Sequence, residues 1–141
     1  MAMTEEALRS SMAACCREMN ASGVNQGTSG NISARFEDRM LITPSAIAYD
    51  EMTPVMIASC DLVATDAPQW HGPEKPSSEW PFHLNLLRAR PEMSAVVHAH
   101  PPYATALAMA RMEIPACHYM VAAFGGNSVR CAGYATFGTV A

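Results

Sequence analysis

Val96-Val97-His98-Ala99-His100, closed by Pro101-Pro102, constrains the fold of this chain more than any other stretch. Two β-branched residues followed by alternating histidines predict a strand over 96–100, in which residues two apart share a face. His98 and His100 would then stand side by side, the way a strand offers two imidazole nitrogens to one divalent metal. The prolines lack the N–H groups a ladder needs, so they leave the pair near the strand end, where a site can open to substrate. A His-x-His alone is more often incidental than a ligand pair, and zinc takes three or four ligands. The surrounding residues must carry the case.

Pro76-Ser77-Ser78-Glu79-Trp80 opens a helix in this reading. Ser78 suits the N-cap, and Pro81 is tolerated in the first turn because its missing N–H would be unpaired there anyway. Trp80, Leu84 and Leu87 form the buried stripe, Arg88 and Arg90 sit at the negative end, and Arg90-Pro91 stops the helix. Two serines at a helix N-terminus make a ready anion site. Glu79 there is either a dipole-stabilising surface charge or a carboxylate standing over a metal as its acid/base partner.

Upstream, Thr4 caps a helix whose first turn carries Glu5 and Glu6; Leu8, Met12, Cys15 and Met19 recur at helical spacing and Gly23 ends it. Gln26-Gly27-Thr28-Ser29-Gly30-Asn31-Ile32-Ser33 leads into a strand, and its small polar residues suit either an anion-holding turn or an ordinary loop. Met40 to Thr43 is a further strand, Thr43-Pro44-Ser45-Ala46 a turn, and Val55 to Val63 another apolar segment. From Thr65 to Ser78 prolines, Gly72 and charges mark an exposed loop. After the histidines, Pro102 starts an Ala-rich, closely packed helix running to about Met112. Ile114 to Met120 returns to extended structure, Gly125-Gly126-Asn127-Ser128 turns, and Tyr134 to Thr139 begins another element. The run ends at Ala141 on an apolar, strand-like stretch that reads as a cut within a domain.

The chain's 141 residues are enough for one domain with a proper core. Only 16% are charged, against about a quarter in ordinary soluble proteins, so much surface is expected to be hidden in the fold or against other subunits. A net charge of −4, without a basic run, argues against nucleic acid. No apolar run of membrane-spanning length and no signal-peptide pattern is present. Five cysteines without a Cys-x-x-Cys spacing read as reduced, buried thiols of a cytoplasmic protein.

Taken in order, Asn25 to Ser33, Met40-Leu41-Ile42-Thr43-Pro44, Pro76 to Trp80, Val96 to His100, Ile114-Pro115-Ala116-Cys117-His118-Tyr119-Met120, Gly125 to Ser128 and Tyr134-Ala135-Thr136-Phe137-Gly138-Thr139 resemble the class II aldolase/adducin family, in its fuculose-phosphate aldolase branch. The resemblance spans nearly the whole chain, and the combination is far more specific than any one motif. It implies a three-layer α/β/α sandwich around a mainly antiparallel sheet, with residues 1–141 as a single domain lacking roughly the C-terminal third. It implies that His98 and His100 bind one zinc ion per subunit, with the third histidine of the family pattern falling beyond residue 141. Glu79 would be the acid/base, and Tyr119 would act in a neighbouring subunit of a homotetramer with interfacial sites. Gly30, Asn31, Ser45, Ala46, Ser77 and Ser78 would hold the phosphate of a sugar phosphate. The family usually has glycine where Ala46 stands. His83, one helical turn after Glu79, reads as a packing or supporting residue, and His118 as an interface residue; neither is in the third-ligand position.

The implied reaction is reversible aldol cleavage of a ketose 1-phosphate to dihydroxyacetone phosphate and an aldehyde. Lys75, the only lysine, sits in a loop and is not needed as a Schiff base. Epimerases and dehydratases of the same fold share the histidine pair, and adducin-like head domains keep the fold as interaction modules. Tyr119 in its motif favours the aldolase; Glu79, His98 and His100 speak against the module.

Overall fold

Four short strands pair into one antiparallel sheet in the computed structural model, which describes residues 3–64 and 66–136. The chain divides into two units, Met1–Ala99 and His100–Ala141. In the first, helix α1 (Glu5–Ala21) is followed by β1 (Asn31–Phe36), β2 (Arg39–Ile42), a 3-10 turn (Pro54–Met56), β3 (Ala58–Asp61), α2 (Trp80–Ala89) and β4 (Ala95–His98). The sheet order is β3-β2-β1-β4.

Thr4 starts α1 as expected, its Oγ1 accepting from Ala7 N at 3.2 Å, and Glu5 and Glu6 occupy the positive end of the dipole. Gly23 follows the cap at φ +75°, the left-handed conformation glycine adopts without strain. The buried stripe is Met12, Ala13, Cys16 and Met19. Cys15 is exposed, which corrects the expected stripe: the core-facing phase runs through Met12, Cys16 and Met19, and places Cys15 outside it.

Strand alternation divides the core between the two faces of the sheet. Ile32 and Ala34 of β1 and Leu41 of β2 pack with α1 residues Met12, Cys16 and Met19 and with Tyr49 and Ile57. Met40 of β2, with Cys60 and Leu62, packs on Leu84 and Leu87 of α2, with Trp70, Trp80 and Val96 at the margin. The Trp70 and Trp80 rings meet edge to face, centroids 5.5 Å apart. An antiparallel sheet with a helix on each face is the three-layer arrangement expected.

Several boundaries differ from expectation. Helix α2 begins at Trp80 with Glu79 as its cap residue, not Ser78, because Ser77 forms the turn: its carbonyl accepts from Trp80 N at 3.1 Å and its hydroxyl from Glu79 N at 3.3 Å. Strand β4 ends at His98, so no strand imposes a shared face on His98 and His100. His98 pairs with Asn31, and the next hydrogen-bonding rung of this register would need the N–H of Ser29, which instead donates to Gln26 O at 3.3 Å.

In the second unit α3 spans Pro102–Met109, shorter than expected, and buries none of its residues. Its apolar side chains surround the helix and form no stripe, so the expectation of close packing fails. Extended structure over 114–120 is limited to Ile114, which exchanges two 2.9 Å hydrogen bonds with Val129. A 3-10 turn takes over at Tyr119–Phe124, capped by His118, whose Nδ1 accepts from Met120 N at 3.2 Å. Residues 125–128 turn as expected, and residues 131–136 follow without a helix or strand. Of the element expected at Tyr134 to Thr139, Phe137, Gly138 and Thr139 lie outside the described residues. All five cysteines are free, but Cys15 and Cys117 are exposed and Cys131 is half-buried, against the expectation of buried thiols. Among the described residues no helix is long and apolar enough to cross a membrane.

Candidate functional site

Strand periodicity and register place the site at one end of the sheet. Asn31 and Ser33, two apart on β1, share the face that α2 covers, and His98 lies directly opposite Asn31 on β4. The cap residue of α2, Glu79, reaches the same point. Asn31 Nδ2 donates to Glu79 Oε2 at 2.7 Å, and that oxygen stands 3.3 Å from His98 Nε2. Side chains of Glu79 and His98 are 19% and 27% exposed, open enough for a ligand to reach them.

Behind this pair lies a buried polar chain. His83 Nε2 is 2.5 Å from Asn31 Oδ1, and His83 Nδ1 is 2.7 Å from Ser33 Oγ. Burial pushes the His83 imidazole down to about 4, with His98 as a lesser contributor, so the ring is neutral at ordinary pH. Phe82 stacks on His83 at 4.3 Å and meets the edge of His98 at 5.4 Å. The sequence pointed to His83 as a supporting residue through its one-turn offset from Glu79. Ser33 closes the Asn25–Ser33 motif and Phe82 lies three residues past Glu79, but nothing in the local pattern pointed either of them at His83.

The turn before β1 is braced from inside. Tyr49, whose hydroxyl burial pushes up to about 12, stays protonated and donates to Gly30 O; Asn25 Oδ1 accepts from Ser29 Oγ at 3.1 Å. A Cβ on Gly30 would stand 2.7 Å from the His98 carbonyl and 2.8 Å from Asn25 Oδ1. Glycine is there because backbones meet, and the residue sets the position of His98.

Two further loops join at the same sheet end. Ser45 N donates to Lys75 O at 2.9 Å and Ser77 N to Thr43 O at 3.0 Å, so the turns holding Ser45-Ala46 and Ser77-Ser78 lie side by side. Those two N–H groups are spent internally, which leaves anion contacts at Ser45 and Ser77 to their hydroxyls. Ser77 is buried, Ser45 half-buried, and Ala46 and Ser78 exposed. Ala46 has φ +59°, the left-handed region that favours glycine.

The structure thus brings together Glu79, His98, Asn31 and Gly30, and joins Ser45-Ala46 to Ser77-Ser78. His100 and Tyr119 belong to the second unit, where both are exposed, Tyr119 at 80%. Among the described residues no three His, Cys, Asp or Glu side chains form a group able to hold a metal. The Glu79–His98 separation nevertheless matches the roughly 3.3 Å between two donors on a tetrahedral ion with bonds of about 2.0–2.1 Å. An imidazole nitrogen and a carboxylate oxygen are ordinary zinc donors, and further ligands are needed beyond these two.

The family model described as the Class II Aldolase and Adducin N-terminal domain matches residues 10–141. The chain is 53% identical over 124 residues to a 5-methylthioribulose-1-phosphate/5-deoxyribulose-1-phosphate aldolase of Escherichia coli O45:K1, covering 88% of this chain and 56% of the relative. It is 49% identical over 125 residues to an L-fuculose phosphate aldolase of Escherichia coli K12, with the same coverage of 88% and 56%. A solved L-fuculose 1-phosphate aldolase superposes with a TM-score of 0.87 at 35% identity, covering 98% of this chain and 64% of that one. The chain therefore spans little more than half the length of these curated relatives.

Proposed function

The chain belongs to the class II aldolase and adducin family, and from that premise we propose that it is the catalytic part of a zinc-dependent aldolase. The reaction is reversible cleavage of a ketose 1-phosphate to dihydroxyacetone phosphate and an aldehyde. The substrates are of the fuculose phosphate or 5-deoxy/5-methylthio-pentulose phosphate type, following the activities for which the relatives are named. The observation that carries the reading is the Glu79–His98 contact of 3.3 Å at a sheet end where two serine-bearing turns also meet. The same reading takes residues 1–141 as part of one class II domain.

His98 and His100 would hold the zinc, with Glu79 able to approach it when substrate is absent. Zinc bound there would supply Lewis-acid polarisation of the substrate carbonyl. Glu79 returns a proton to the substrate's C3 carbon after C3–C4 cleavage, and Tyr119 from a neighbouring subunit of a homotetramer handles the proton on the C4 oxygen. The phosphate is held by the hydroxyls of Ser45, Ser77 and Ser78, the backbone around Gly30 and Ala46, and the second amide N–H of Asn31. A reducing, cytoplasmic setting fits the five free thiols.

The test is release of triose phosphate from fuculose 1-phosphate and from 5-deoxyribulose 1-phosphate, with and without a chelator, alongside zinc content. Chelator-sensitive triose phosphate is the expected result. An epimerised or dehydrated product overturns the aldolase assignment, and a metal-free, inert protein leaves an interaction module. Glu79→Gln keeps an acceptor for Asn31 and is expected to retain its metal while losing about 10²–10⁴ in turnover. Unchanged turnover in that variant rejects Glu79 as the acid/base.

A further inference from the structure

We propose that His83 is a positioning residue for the reaction: locked between Ser33 and Asn31, it fixes the Asn31 carboxamide so that its nitrogen faces Glu79 and holds the carboxylate for proton transfer. The inference rests on the aldolase reading for its kinetic part and on geometry alone for the rest.

The direction of every hydrogen bond in the chain is forced. Asn31 presents its amide nitrogen to Glu79, Nδ2 donating to Oε2 at 2.7 Å. Its oxygen then faces His83 Nε2 at 2.5 Å, and two acceptors cannot meet there, so Nε2 carries the proton. The neutral ring has one N–H, which leaves Nδ1 bare to accept from the Ser33 hydroxyl at 2.7 Å. One tautomer of one imidazole therefore decides which end of the Asn31 carboxamide looks at Glu79. Ser33 and His83 are fully buried and Asn31 is 4% exposed, so water cannot replace a lost partner. Among the described residues no buried side-chain nitrogen or oxygen lacks a hydrogen bond, so flipping the amide would break a satisfied network.

Two other uses of the same residues fail on burial. A Ser-His-Asn set resembles a nucleophilic triad, but Ser33 is 0% exposed and no substrate carbonyl can reach it. Metal ligation by His83 fails because both ring nitrogens are committed to Asn31 and Ser33. What remains is orientation. Glu79 is a long side chain with several rotamers, and a fixed amide on Oε2 removes much of that freedom. A plain core-filling histidine would share the burial but would have no influence on the reaction rate.

Ring ¹⁵N NMR of metal-free full chain reads the tautomer directly. The Nε2–H form of His83, unchanged from pH 5 to 8, is expected; an Nδ1–H form, or titration within that range, overturns the proposal. In the metal-loaded protein, His83→Phe is expected to lower kcat by at least about tenfold with KM within about twofold, and His83→Gln, which keeps a donor for Asn31, to recover part of the loss. A folded His83→Phe variant with full kcat overturns the proposal. Should that variant fail to fold, Ser33→Ala removes a single hydrogen bond, loosens the ring while Asn31 keeps it in the Nε2–H form, and is expected to lower kcat; an Nδ1–H form or an unchanged kcat is the contrary result. A wild-type protein with the expected tautomer and no triose phosphate release would reject the aldolase reading, while leaving the orientation of Asn31 established.

Discussion

At Gly30 a hydrogen atom does what no side chain can. Its missing Cβ lets the turn before β1 approach the His98 carbonyl, so Gly30→Ala drives atoms to 2.7 Å in a place where backbone must move. The expected cost is about 2–3 kcal/mol in a denaturant titration, with weaker metal retention, because overpacking here pushes on the residue that presents an imidazole. Ala46 is the opposite case. It sits at φ +59° with a methyl group, a conformation costing about 1–2 kcal/mol, while glycine would give back about 0.5–1 kcal/mol in unfolded-chain entropy. Ala46→Gly is therefore expected to stabilise the protein by about 0.5 kcal/mol, read as a rise in melting temperature. Both residues stand in motifs visible in the sequence, yet only the backbone explains why one must be glycine and the other need not be.

Elements were legible where their determinants are local. The Thr4 cap, the acidic first turn and the Met12–Met19 stripe of α1 all lie within a few residues of one another, and only the phase of the cysteine pair was misread. The Leu84–Leu87 stripe of α2 was equally plain. Leu87 is fully buried against Met40 and Cys60, so Leu87→Ala is expected to cost about 2–5 kcal/mol in unfolding free energy. Boundaries set by distant partners were not legible. Strand β4 stops at His98 where the chain before β1 turns away, Ser29 N donating to Gln26 O, and no pattern within 96–100 contains that information. The strand expected over 96–100 therefore overran the observed one by two residues. The Ser33–His83 bond, spanning 50 positions in the sequence, was beyond local reading for the same reason. His83 itself was reached only through its helical offset from Glu79.

For the molecule as a whole, the buried neutral His83 ties stability to pH. Its folded value of about 4 lies below the unfolded 6.5, so between those values the unfolded chain binds a proton that the folded chain refuses. The contribution of His83 is level above pH 6.5 and falls as pH drops toward 4, by up to about 3 kcal/mol in all. Urea midpoints at pH 7, 5 and 4 measure that slope, and His83→Gln is expected to flatten it. The Trp70–Trp80 contact has a consequence of another kind. These are the only two tryptophans in the chain, and one of them follows Glu79 directly. The indole emission of residues 1–141 thus originates around the start of α2, and a ligand that shifts the turn around Ser77 will announce itself as a change in that fluorescence.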